Sequence, residues 1–273
     1  MTAQDQALAH VAARSEGRPM AGDLRVSLNF HPDRVVAGRP ILAMLGADGC
    51  YRSQFETGTS NGGLTAHPGG DRWRWESRMF GSAYDSVPAA QRPKYGALNF
   101  RRRVVGAAPR FGSAHFRLSA ESLQRTTFCY PDSVFEPVRF GTAERMSLIE
   151  VALADSQDPL DDYVEAQVHG PVLLDRDVEA LVLDACFRDT EVAELASALP
   201  CPVEWHPGFR LSVARLRETE GYRTPEAVAL GVELAVDGVL DPAVLGRAAA
   251  SGAGEPQVVK HLWHHLARFG APE

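Results

Sequence analysis

The residues that could carry chemistry fall into a few short blocks. The most informative is DDYVEAQVHGPV, where alternation puts Tyr163, Glu165, Gln167 and His169 on one side of an extended chain and Val164, Ala166 and Val168 on the other. An acid among good strand formers is disfavoured unless it is solvated or has work to do, so this row reads either as a functional face or as the wet face of an edge strand. A second block, LNFHPDR, ends a strand at His31 with Arg34 three residues on. The imidazole can offer a nitrogen to a ligand hydroxyl and the guanidinium can meet a phosphate, although a backbone-satisfied histidine and a surface arginine would look the same. In YRSQFETGTSNG, Arg52, Gln54, Glu56, Thr57, Thr59, Ser60 and Asn61 crowd around two glycines. That composition suits phosphate or ribose oxygens, or else a hairpin turn; the Walker pattern is absent.

Other candidates carry less. Trp73 and Trp75 would share a face of an extended chain, and with Tyr84 and Tyr95 they could stack on a flat ring or form a satellite core. His261, His264 and His265 form an HxxHH cluster with no acid or thiol at ligand spacing, so no metal site is expected. Ser60 of GTSNG has G-x-S-x-G spacing but belongs to the glycine-flanked block read above as a phosphate or ribose loop or a turn, and no cysteine has an activating setting, so covalent hydrolysis is unsupported.

The elements that must position these residues are readable in outline. A helix is expected over residues 2–15, capped by Thr2, with Leu8, Val11 and Ala12 on one face; Leu24, Val26, Leu28 and Phe30 then alternate as a half-buried strand ended by Pro32. From 53 to 116 the chain is loop-rich, with strand character returning at YGALNF, SAHFRL and TTFCY. A helix over 142–154 opening at Thr142 precedes two strands, YVEAQVHGPVLL and DVEALVLD, joined by a turn near Asp175, and Glu191–Ala267 is mostly helical. Strands early and helices late predict an α+β fold, with residues 1–190 as the main domain and 191–273 as a helical extension packed on it.

Composition limits the function classes. With 45% hydrophobic residues the chain folds, and a net charge of −7 argues against general nucleic-acid or anionic-membrane binding, leaving only a local patch such as Arg101-Arg102-Arg103. No apolar run is long enough for a signal core or a membrane span, and the four scattered cysteines read as buried reduced thiols. A cytoplasmic protein, or an effector delivered without a cleavable signal, is expected.

Two resemblances follow from these blocks. NFHPDR, QFETGTSNGGLTAHPGGDR, RPKYGALNF, PRFGSAHFRL and YVEAQVHGPVLLDRDVEALVLD resemble a bacterial domain family without an assigned activity, over roughly residues 28–190. More distantly, a strand ending in histidine, a variable middle and a late Tyr-x-Glu-x-x-Val strand are similar to the layout of the ADP-ribosyltransferase superfamily. That resemblance implies a split β-sandwich, NAD as co-substrate and a protein acceptor. It also implies His31 on the adenosine ribose, Tyr95 stacked on nicotinamide and Glu165 on the nicotinamide ribose. In the alternative pattern TGTS supplies the middle motif through Ser60, with Arg34 or Arg52 meeting phosphate and Gln54, Thr57, Thr59 and Asn61 around it. Glu165-Ala-Gln167 departs from the Glu-x-Glu of the arginine-modifying members, so the acceptor residue stays open. Two readings from other classes compete: a non-catalytic nucleotide-binding module, and a metal-dependent phosphoesterase built on His31, His169 and carboxylates.

Overall fold

The computed structural model describes residues 1–58 and 64–272. The first helix, α1 (Ala3–Ala12), is capped by Thr2 in a reciprocal box with Asp5; Ala7 and Val11 are its buried residues, with Leu8 and Ala12 at the edge of that face. Strand β1 (Val26–Phe30) leads to a two-residue ladder of β2 (Val35–Val36) with β3 (Arg39–Pro40), then to α2 (Ile41–Asp48). The stretch read as loop holds α3 (Gln54–Thr57) and α4 (Asp71–Met79) before β4 (Lys94–Leu98). In α4 the buried positions Arg72, Trp75, Glu76 and Met79 recur at helical spacing, but two of them are charged, which hides the helix from any apolar count. Trp73 and Trp75 therefore point about 200° apart around a helix rather than sharing a strand face.

Next come β5 (Ala114–Leu118), β6 (Thr126–Tyr130), β7 (Arg139–Thr142), α5 (Leu148–Ala154), β8 (Val164–Val168) and β9 (Val178–Asp184). The helix expected from Thr142 starts later because Arg139–Thr142 pairs with β6 instead. The last third contains α6 (Glu191–Ser197), β10 (Val203–His206), β11 (Leu211–Ser212), α7 (Val213–Glu218), α8 (Pro225–Leu234), β12 (Val239–Leu240), α9 (Pro242–Ser251) and α10 (Pro256–Phe269).

The fold is α+β. Its eight-stranded mixed sheet has the order β10-β9-β5-β1-β4-β8-β6-β7. Strands β8 and β9, consecutive in sequence, are separated there by three others, so the turn read at Asp175 does not make a hairpin. One face carries Leu28, Leu98, Phe116, Phe128, Ala166 and Leu181 into the main core. The other bears Ser27, Asn29, Tyr95, Glu165, Gln167 and Thr127, and it too is covered, so β1 is buried on both faces. The seam between β1 and β4 is short: only Val26 with Leu98 and Ser27 with Ala97 are in register. The ladder is unbroken, but at this seam it divides into two four-stranded halves.

The C-terminal region forms a second cluster around Phe209, Leu216, Leu230, Leu262, Trp263 and Leu266. It is tied to the sheet by β10, which runs parallel to β9, and by the Trp263 indole, which donates to the carbonyls of Pro109 and Arg110 at 3.1 and 3.0 Å. Among the described residues no helix is long and apolar enough to cross a membrane. All four cysteines are free thiols; Cys129 and Cys201 are buried as expected, whereas Cys50 and Cys186 are half-buried.

Candidate functional site

At the short seam, β1 runs on to His31 while the start of β4 turns towards β8, and a cavity occupies the fork. His31, Arg34, Arg52, Gln54, Thr57, Tyr95 and Glu165 all line it, so the histidine at the end of the first strand and the acid of the late strand meet in one place. Register explains the second half of that convergence. Tyr95 is opposite Gln167 and Ala97 opposite Glu165, which puts the phenol and the carboxylate on the same face. Thr59, Ser60 and Asn61 lie outside the described residues.

Glu165 is buried and fully engaged. Its Oε2 accepts from the Ser133 hydroxyl at 2.7 Å and the Ser133 N–H at 3.3 Å; its Oε1 accepts from Gln167 Nε2 at 2.9 Å and lies 3.9 Å from Arg72 Nη1. Arg72 also donates to the Ser133 hydroxyl at 2.6 Å, so guanidinium, hydroxyl and carboxylate form one relay. Burial pushes the Glu165 pKa up; Arg72 opposes the rise and nearby Asp132 adds to it.

Behind Glu165 a chain of buried polar groups crosses β8 and β6. Thr127 donates to Gln167 Oε1 at 3.0 Å, His169 Nε2 lies 3.0 Å from the Thr127 hydroxyl, and the Tyr84 hydroxyl lies 2.7 Å from His169 Nδ1. A carboxylate can only accept, so Gln167 must aim its amide N–H₂ at Glu165 and its oxygen at Thr127. Thr127 has one proton, which it gives to Gln167, so His169 must carry its proton on Nε2 and accept from Tyr84. Every donor thus points towards Glu165. The neutral imidazole this requires fits its burial, which pulls the His169 pKa down to about 3.

A second network holds Tyr95. Its hydroxyl donates to Glu76 Oε1 at 2.9 Å, Glu76 Oε2 meets Arg92 Nη1 at 2.5 Å, and the Arg72 guanidinium lies over the phenol ring, 4.0 Å from its centre. Arg72 thus caps one face of the ring assigned to stacking. His31 packs edge-on against Trp263 with ring centres 4.8 Å apart, and burial, then the charge of Arg34, lower its pKa to about 4. Arg52 donates to Asp48 at 2.6 Å on the cavity rim. Two buried atoms of cavity-lining residues, Arg72 Nε and Gln54 Oε1, have no hydrogen-bond partner among the described residues.

His169 does not line the cavity and is sealed in the chain above, so it does not join His31 in a shared site and the His31–His169 phosphoesterase arrangement is not formed. On α10, His264 accepts from Arg223 Nε at 3.1 Å, His265 Nδ1 lies 3.2 Å from the Thr219 hydroxyl, and both rings are buried.

Sequence reasoning missed Arg72, Asp132 and Ser133. The helical recurrence of Arg72, Glu76 and Met79 is a signal that could have found the first; Asp132 and Ser133 sit on a turn after Tyr130-Pro131, and nothing in the local sequence marks them. Asp132 also lines the cavity. It accepts from the Tyr163 hydroxyl and from the Val134 N–H.

An α+β sheet forked around a buried, hydrogen-bonded carboxylate defines the class structurally. The chain belongs to the family described as "Protein of unknown function (DUF3626)", whose model matches residues 25–157 and 146–269 and so includes every cavity residue named above as well as the C-terminal cluster. The comparison with curated proteins finds no match.

Proposed function

We propose that this protein is an NAD-dependent ADP-ribosyltransferase: it cleaves the bond between nicotinamide and ribose and passes ADP-ribose to an acceptor, for which a protein is the favoured class. The observation that carries this reading is the presence of His31, Tyr95 and Glu165 in one cavity at the fork of the sheet. Breaking the nicotinamide–ribose bond develops positive charge on the sugar, and a carboxylate fixed beside it stabilises charge that exists only in the transition state. Glu165 suits that task because Ser133 and Gln167 hold both of its oxygens in place. Nicotinamide leaves as a neutral ring, so no strong acid is required. Arg34 and Arg52 supply positive charge for a pyrophosphate in an otherwise acidic chain, and His31 is available to a ribose hydroxyl.

A non-catalytic nucleotide-binding module would use the same cavity. What favours catalysis is the siting of a desolvated carboxylate within it, which simple capture of an anionic nucleotide would not call for. The test is incubation with NAD labelled in the adenine moiety, following both nicotinamide release and label transfer. Consumption is expected for the wild type, with a loss of at least about 100-fold in Glu165→Gln. A wild type that gains thermal stability with NAD but never releases nicotinamide would establish the binding module instead.

A further inference from the structure

We infer that Asp132 is a second catalytic carboxylate, the general base that takes a proton from the acceptor, and that the acceptor nucleophile is accordingly a neutral O–H group. This rests on the reading of Glu165 given above and adds the class of acceptor to it. Asp132 lines the same cavity as Glu165, is itself buried, and is adjacent in sequence to Ser133, which bridges Glu165 and Arg72. Its two oxygens are oriented by the Tyr163 hydroxyl and the Val134 N–H, and each keeps a lone pair for a further donor.

Two carboxylates facing one reacting sugar have separable tasks, as in glycoside transfer. Glu165 has both oxygens already held by Ser133 and Gln167, beside Arg72, so its place is next to the sugar cation and neither oxygen is turned to the acceptor to accept a proton. Asp132 has no cation within ion-pair distance among the described residues and is the group able to do so. The step balances as follows. The bond from the ribose anomeric carbon to nicotinamide breaks, with its electron pair leaving on the ring nitrogen. The acceptor oxygen forms the new bond to that carbon, and its proton passes to Asp132. An acceptor that ionises unaided, such as a thiol, would not need the base. A cationic acceptor would be opposed by Arg72, which is buried in the same wall.

The test uses the full chain with NAD in aqueous methanol, counting nicotinamide release and the partition between ADP-ribose and methyl ADP-ribose, in wild type, Asp132→Asn and Glu165→Gln. Water and alcohol are the two sources of the O–H nucleophile, and the product ratio distinguishes them. Asp132→Asn is expected to slow both products by about 100-fold. Azide, an anion with no proton to lose, should restore the rate with an azido adduct in Asp132→Asn and not in Glu165→Gln. Equal rates for wild type and Asp132→Asn in water and methanol would overturn the role of Asp132 while leaving Glu165 in place. Absence of nicotinamide release from the wild type would remove the underlying reading instead. If Asp132→Asn does not fold, the wild type decides: its rate with methanol should slow in deuterated solvent more than its rate with azide, which transfers no proton, and equal slowing refutes the base.

Discussion

The direction of the hydrogen bonds behind Glu165 makes a prediction at the scale of single atoms. In Glu165→Gln the new amide would keep its oxygen on Ser133, which donates twice, and so would turn its own N–H₂ towards that of Gln167. Two donors cannot face each other in a buried site, and the least costly repair is to reverse the whole chain. Gln167 flips, Thr127 donates to His169, and the histidine proton moves from Nε2 to Nδ1. The imidazole ¹⁵N spectrum of His169 should therefore change tautomer in Glu165→Gln; an unchanged Nε2–H form would show that Gln167 does not couple the two. Titration gives a second check. The folded pKa of His169 is depressed from 6.5 to about 3, so its neutral form stabilises the fold above pH 6.5, and that contribution is lost as pH falls towards 3. Replacing His169 by Asn should flatten the fall of stability on acidification by about 1.4 kcal/mol per pH unit in that window, read from denaturant midpoints at several pH values. Glu76, raised to about 7 by burial against the pull of Arg92, acts with the opposite sign, favouring the fold below about 4.5 and losing that contribution as pH rises to 7. At this scale the sequence was informative where chemistry and period coincided. The alternation of Tyr163, Glu165, Gln167 and His169 gave the right face, but their division into a cavity acid and a sealed chain depends on partners from β6 and on Tyr84 that no local pattern announces.

Elements fix how these atoms are presented, and the weak points in reading them were those where polar residues faced inward. Helix α4 buries Arg72 and Glu76 beside Trp75 and Met79, so its inner face resembles a solvated one until the sheet's polar side is known. The two tryptophans separate the readings. Trp75→Ala should cost about 3–5 kcal/mol, whereas Trp73→Ala, half-exposed, should cost less than about 1.5 kcal/mol, as measured by chemical unfolding. Equal costs would favour the extended arrangement. At the other side of the fork, Gly112 has φ 152°, and a Cβ there would lie 2.0 Å from the carbonyl carbon of Phe30, where β1 hands on to His31. Gly112→Ala should therefore destabilise by about 4 kcal/mol or more. The strands themselves were legible, β1, β8 and β9 in particular, because their apolar residues alternate or run together. Their neighbours were not, since pairing β8 with β4 and β6 rather than with β9 is a long-range choice that the intervening turn does not dictate.

For the molecule as a whole, the C-terminal third is more than an appended bundle. Its first strand, β10, extends the sheet, and Trp263 from its last helix packs against His31 while holding the 109–111 turn. Trp263→Ala should cost about 3–5 kcal/mol and, under the function proposed above, weaken the binding of NAD by the folded fraction through a loosened His31, which calorimetric titration would register. An unchanged affinity would mean that His31 is held without the indole. The α+β class was readable from the order of element types, and so was the helical character of the tail. Its engagement with the first strand was not, because it unites residues at the two ends of the chain.

The meagre pairing between β1 and β4 has a mechanical consequence. Amides at Ser27 and Ala97 are the mortar between two stiff slabs, and a molecule lodged in the opening, touching His31 on one slab and Glu165 on the other, would act as a rivet across it. Deuterium uptake at those amides should slow on addition of NAD more than at the β5–β9 join, where the ladder is longer and already strong.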